Sequence, residues 1–135
     1  MSNLPIFDVA GSALHAQSVR LSTLASNMAN ANSVAGSPDE VYKPLEPVFR
    51  AVASQTDPAL TGVEVGAVVE RNTPPVQRYE PGHPLADEQG YVYAPDVDPV
   101  SQMVNMISAS RSYQNNVEVM NTTQQLLAKT LQLGQ

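Results

Sequence analysis

The sequence predicts a mainly α protein with a small β part: long N- and C-terminal helices packed as an antiparallel coiled-coil hairpin, with a short β-rich, proline-rich central insertion. Three observations predict it. Proline is segregated: after Pro5, the other ten of the 11 prolines in 135 residues all lie between positions 38 and 99, where they exclude long helices. Both proline-free arms carry apolar residues at helical spacing. Charge is segregated in the same way. Residues 38–99 hold 11 acids and four bases, whereas residues 1–37 hold only Asp8 and Arg20, and residues 100–135 only Glu118, Arg111 and Lys129. The chain therefore divides into an N-terminal helical arm (1–37), an acidic, proline-rich, β-containing centre (38–98) and a C-terminal helical arm (99–135).

Steps of four and three from Ala10 pass through Leu14, Gln17, Leu21, Leu24, Met28 and Ala31, a heptad-like stripe that predicts a helix from Ile6 to Asn32. Asn30, Asn32 and Gly36 supply residues suited to a helix exit. In the second arm, Asp98 is placed to cap a helix that starts with Pro99, where the missing N–H costs nothing. Its stripe runs through Met103, Met106, Ser110, Tyr113, Val117, Met120, Gln124, Leu127 and Leu131, and Gly134 ends it. The intramolecular helix seam is accordingly assigned to Ala10, Leu14, Leu21, Leu24, Met28, Met103, Met106, Tyr113, Val117, Met120, Leu127 and Leu131. In the centre, residues 41–49 read as an edge strand or loop broken by Pro44 and Pro47. Residues 63–69 form the best strand candidate, and Tyr91-Val92-Tyr93 a second one entered through Gly90. Pro81-Gly82-His83-Pro84 is a turn.

Composition excludes several functions. A net charge of −6 argues against nucleic acid, whose binders displace phosphate counterions with Lys and Arg. The absence of cysteine removes disulfides, thiol nucleophiles and Cys-ligated zinc. No run approaches the ~18–20 apolar residues of a membrane span, so no direct membrane insertion is expected. The N-terminal Met-Ser-Asn-Leu-Pro has neither a basic region nor an apolar core of a secretory signal.

Candidate chemistry is sparse. His15 and His83 are the only histidines, too few ligands for a metal site without distant carboxylates. Asp96-Val97-Asp98 lacks the remaining ligands of a calcium loop, and Asp87-Glu88 reads as a solvated turn. No Gly-x-Ser-x-Gly or phosphate loop is present. No catalytic residue, metal, cofactor or small-molecule substrate is therefore expected, and no enzyme.

The informative feature is the bland outer surface of the arms. Solvent-facing helices usually carry Glu–Lys pairs four residues apart; these carry Ser, Asn, Gln, Thr and Ala instead. Such surfaces meet a neighbour without desolvating charge. Ser18, Ser22, Ser26, Asn27 and Asn30 on the first arm, and Asn105, Ser108, Arg111, Ser112, Asn115 and Asn116 on the second, are assigned to a subunit–subunit interface.

Residues 103–121 (MVNMISASRSYQNNVEVMN) closely resemble the C-terminal helix of the flagellar basal-body rod proteins, and residues 129–135 (KTLQLGQ) resemble the proximal-rod members. Three further segments agree: 7–14 (FDVAGSAL), 26–33 (SNMANANS) and 87–93 (DEQGYVY). Residues 33–42 replace the short Thr-Pro-Gly-Tyr turn common in related proteins with a longer form. The resemblance implies a structural subunit of the proximal rod, polymerising with itself and with the rod proteins FlgB, FlgF and FlgG. It implies contact with FliE and the MS-ring/export-gate base. The product is a hollow helical drive shaft in the periplasm that carries torque to the hook and passes exported subunits. Export by the flagellar type III system without a cleaved signal, and a tubular inner layer made by the terminal helices, are implied as well. The rival reading is a non-polymerising helical adaptor or export-chaperone-like protein; a small hydrolase using His83 with Asp87 is more remote.

Overall fold

A computed structural model describes residues 5–54 and 57–134; the Met-Ser-Asn-Leu start, on which the signal-peptide reading rests, lies outside them. The order of elements is helix α1 (Pro5–Asn30), a short 3-10 turn (Pro38–Glu40), strands β1 (Leu45–Ala53), β2 (Thr61–Glu70), β3 (Val76–Tyr79) and β4 (Tyr91–Ala94), and helix α2 (Pro99–Leu133). At 1.5 Å per residue α1 is about 39 Å long and α2 about 52 Å.

Local chemistry explains the ends of the elements. The Asp98 carboxylate accepts from the N–H groups of Val100 and Ser101, and Pro99 occupies the first helical position, so α2 starts where the sequence places it. Its last turn closes through the Gly134 N–H on the Thr130 carbonyl. The exit of α1 is different from expectation. Ala31 and Ser33 donate to Met28 and Asn30 carbonyls, and among the described residues only Gly90 has positive φ. Gly36 is no helix cap; a Cβ there would sit 3.1 Å from the Leu85 carbonyl oxygen, so its role is to let two segments approach.

The centre holds two separate two-stranded antiparallel sheets, β1–β2 and β3–β4. β1 pairs from Leu45↔Glu70 to Ala53↔Thr61, and Gly66 is the extra residue of a bulge opposite Val48/Phe49. The Arg71 N–H donates to the Pro44 carbonyl and the Ser54 N–H to the Leu60 carbonyl. Antiparallel pairs alternate, so residues 46, 48, 50 and 52 bond across to β2, while 45, 47, 49, 51 and 53 turn their peptide groups outward. Pro47, which has no N–H, falls on an outward position. In the second sheet Tyr93 exchanges two bonds with Ala35 on the side of β4 away from β3. β3 has no counterpart among the strands that the sequence predicts.

The antiparallel coiled-coil hairpin expected from the sequence is not the architecture. α1 is followed by a sheet region and packs on β1 and β2 as well as on α2. The only residue of α2 that is buried is Ala109, and the assigned seam positions Met103, Tyr113 and Leu131 are exposed. A coiled coil clamps large side chains at every seam position. Here the most enclosed position of α2 is an alanine, which permits close approach but removes little apolar area from water. The sheltered face of α2 runs through Gln102, Met106, Ala109, Asn116, Val117, Met120, Thr123 and Leu127, so the assigned Met106, Val117, Met120 and Leu127 lie on it half-buried. Of the first-arm seam, Ala10 and Leu24 are buried; Leu14, Leu21 and Met28 are half-buried.

The core is small: Ala10, Ala16, Leu24, Ala31, Val92, Ala94 and Ala109 are its buried apolar residues, with Val92 the largest that is fully enclosed. Leu24 is the only buried leucine among the described residues. Replacing Leu24 with Ala is expected to cost about 2–5 kcal/mol, read as a lowered midpoint in urea unfolding with unchanged slope.

Candidate assembly surface

The relation between the helices and the sheets is set by Asn27, which is 3 % exposed. Its Oδ1 accepts from the Leu45 N–H at 2.8 Å and from the Tyr42 hydroxyl at 3.0 Å. Its Nδ2 donates to the Leu45 carbonyl at 2.9 Å and, at 3.5 Å, to Gln102 Oε1 on α2. Leu45 is an outward residue of β1, so the Asn27 carboxamide supplies both the donor and the acceptor that a third strand would. A second contact pins the other end of the sheet. The Ser12 hydroxyl donates to the Val9 carbonyl and accepts from the outward Val63 N–H of β2 at 3.1 Å. It reaches there because Gly62 has no side chain; a Cβ would meet Ser12 Oγ at 3.0 Å.

A third fixed point is Asp87. Its Oδ1 accepts from the N–H groups of Gln89 and Tyr91, and its Oδ2 accepts from the Tyr93 hydroxyl at 3.0 Å. Gly90, at φ 85°, completes the turn, and a side chain there would strike Tyr79 and Pro81. The Tyr91 N–H, helped by the Tyr93 hydroxyl and neighbouring backbone N–H groups, holds the Asp87 carboxyl below its ordinary pKa; the same bond raises the Tyr93 phenol. Asp87 is thus a turn anchor and not merely a solvated acid. Asp98 is lowered likewise, by the Ser101 hydroxyl first and the Val100 N–H next.

With the frame placed, α2 presents an uncovered apolar stripe opposite Ala109. Val100, Val104 and Ile107 are 65, 60 and 58 % exposed, with Met103 beside them. Further along, Leu126, Leu131 and Leu133 are also exposed. The spacing of four and three between Val100, Val104 and Ile107 marks a helix face, and soluble monomers seldom leave such patches uncovered. Val100, Val104 and Ile107 are absent from the interface predicted from the sequence, which consists of polar residues and Arg111, although their spacing alone marks a helix face.

The residues assigned to the interface fall into three groups. Ser18, Ser22, Asn105, Ser108, Arg111 and Asn115 are exposed. Asn27 is buried and spent inside the chain, which corrects its assignment: the incoming Leu45 backbone covers it. The half-buried group is mostly engaged as well. Ser26 accepts from Tyr42, Asn30 donates to the Ser26 carbonyl and Asn116 to the Ser112 carbonyl.

The clefts offer little chemistry. A groove of about 410 Å³ between α1 and the first sheet is lined by His15, Ser18, Ser22 and Ser26, yet no hydrogen bond joins the imidazole to a hydroxyl among the described residues. His83 Nδ1 accepts from the Leu85 N–H. No group of three or more His, Asp or Glu side chains among the described residues could hold a metal ion, and no described helix is long and apolar enough to cross a membrane.

The two helical arms match two families of the bacterial flagellar rod: residues 7–36 match the family described as flagella basal body rod protein, and residues 88–133 match the C-terminal family of the flagellar basal body rod proteins FlgE, FlgF and FlgG. Over its whole length the chain is 54 % identical to the flagellar basal-body rod protein FlgC of Yersinia enterocolitica and 53 % identical to that of Salmonella typhimurium, with 100 % of each chain covered. The FlgC protein of Aquifex aeolicus is 38 % identical over 93 % of this chain and 92 % of its own. The chain belongs to the FlgC family of flagellar basal-body rod proteins, and its role is that of a structural subunit of the rod.

The pH dependence of the Asp87 turn follows from the direction of its shift. A carboxyl with a folded-state pKa below its unfolded value favours the fold when ionised. Its contribution is complete above about pH 4 and is lost as pH falls through the depressed value. The protection of the Gln89 and Tyr91 amides against exchange should therefore fall below that range, and Asp87→Asn should remove most of that pH dependence.

Proposed function

We propose that the stripe formed by Val100, Val104 and Ile107, with the exposed small polar residues Ser18, Ser22, Asn105, Ser108 and Asn115, is the surface through which this subunit joins its neighbours in the rod. The observation that carries the proposal is a 35-residue helix with a single buried residue and with Val100, Met103, Val104 and Ile107 in the open over its first turns. Such a helix is not stabilised by its own chain alone, because helical stability in proteins comes mostly from packing of the apolar face. Neighbouring helices supply that packing, and small uncharged side chains around the stripe let backbones approach without desolvating charge.

In this reading the arms line up as the inner tubular layer of a hollow shaft. The shaft resists deformation because close-packed side chains have low compressibility, so torque passes through many lateral contacts and the lumen stays open for exported subunits. Its partners are further copies and the rod proteins FlgB, FlgF and FlgG, with FliE and the MS-ring/export-gate base below. The subunit works without catalysis or cofactor, and it reaches the periplasm through the flagellar type III system without losing a signal peptide. The rod-protein relatives support assembly with rod components, and the resemblance in the helical arms supports the finer partners.

Val104→Asp and Ile107→Asp test this reading. Both side chains are more than half exposed, so each substitution should change the stability of the isolated subunit by no more than about 0.5 kcal/mol. In cells lacking the wild-type copy, each should abolish rod assembly and swimming. Motile cells carrying the double variant would overturn the assignment of this face.

A further inference from the structure

The outer edge of β1 is open beyond the point where Asn27 meets it. Asn27 closes it at Leu45, and Pro47 has no N–H to offer. Beyond the bulge, Phe49, Ala51 and Ala53 turn N–H and C=O outward, and no hydrogen bond among the described residues reaches them. Residues 48–53 are all exposed, and the only charge among them, Arg50, is paired with Glu64 at 3.0 Å. Proteins ordinarily blunt such an edge with charge, proline or a covering segment; here six successive residues lack all three on their free side.

We infer that this edge pairs antiparallel with the same edge of a second copy of this chain, centred on Ala51. The residues themselves select that occupant and register. With Ala51 opposite Ala51 of the second copy, Phe49 lies opposite Ala53 and Ala53 opposite Phe49, a large side chain against a small one on each side. Every outward N–H and C=O of the three residues then meets its complement, six hydrogen bonds in all by the alternation of antiparallel ladders. Arg50 lies opposite Val52, so no like charges face each other directly, and each arginine keeps its own Glu64. Registers centred on Arg50 or Val52 also pair outward residues with each other but give only four bonds among these three residues, and the first sets Arg50 opposite Arg50, like charge against like charge. The contact is two-fold, the same patch on both copies. Copies that all point the same way along a helical shaft cannot share it, so the pairing belongs to the free subunit and must open before incorporation. It covers in the unassembled protein an edge open to unwanted strand addition.

The test uses the full chain, labelled for residue-resolved amide exchange, with its mass followed against concentration by light scattering. The mass should rise from monomer toward dimer as concentration increases. Over the same range the amides of Phe49, Ala51 and Ala53 should change from fast to slow exchange, while those of Arg50 and Val52, bonded to β2, stay slow throughout. Ala51→Lys and Ala51→Glu place like charges opposite each other only in this register. Each variant alone should stay monomeric, and an equimolar mixture should regain the doubled mass. A chain that is monomeric at every concentration overturns the inference. So does a dimer without protection at residues 49, 51 and 53, or a pair of charge variants that dimerise separately as the parent does.

Discussion

One buried carboxamide determines how this subunit is put together. Asn27 lies near the end of α1, and its side chain meets the backbone of Leu45, the Tyr42 hydroxyl and Gln102 of α2. Helix, sheet and second helix thus converge on a group whose oxygen and nitrogen are both spoken for. Hydrogen bonds of this kind add modestly to stability, but leaving their partners unpaired in a buried place is costly. The arrangement is therefore stringent about geometry. Ser12 does the same at the far end of the sheet, so α1 is tied to the first sheet at two separated points and holds a two-stranded ribbon that would be marginal by itself.

That economy of internal contact is consistent with a protein whose role is to be surrounded. The buried set is mostly alanine, and α2 keeps almost nothing to itself. Alanine at the contact between helices lets the backbones come close while leaving the larger side chains, Val100, Val104, Ile107 and the leucines near the end, to face outward. In a monomeric enzyme this distribution would be a defect. In the proposed assembly the missing core is completed by neighbours, which bury the apolar area left open in one chain.

The centre contrasts with the arms. Its charges sit in exposed pairs, Arg50–Glu64, Arg71–Glu46 and Arg78–Glu80, each well solvated and worth little to stability. What holds β3 to β4 is local, namely the Asp87 turn, Gly90 at positive φ and the edge-to-face contact of Tyr79 with Tyr91 at 5.3 Å, whereas the bridge from Ala35 to Tyr93 is a distant tie. The second sheet is thus attached to the segment leaving α1, while the first is attached to α1 itself.

Features governed by neighbours in the sequence were legible from it. Asp98 before Pro99 starts a helix because capping is settled within three residues, and the β-branched run that became β2 declared itself through its own alternation. The terminal motifs carried the family. Features governed by distant segments were not legible. Nothing local distinguishes Asn27 from Asn30, yet one is buried against a strand eighteen residues on and the other bonds its own helix. β3 hides behind Pro74 and Pro75, and its pairing depends on a turn that brings Tyr91 back to Tyr79. Two apolar stripes coexist on α2, and periodicity alone does not say which one faces the protein; only the packing against α1 decides that Ala109 turns inward and Ile107 outward. The residue order determined the helices, the central strands' turn chemistry and the kinship, because those rest on contacts a few positions apart. The tertiary structure alone decided that the arms share α1 with a sheet instead of zipping together, because that choice depends on where a buried amide finds its partners.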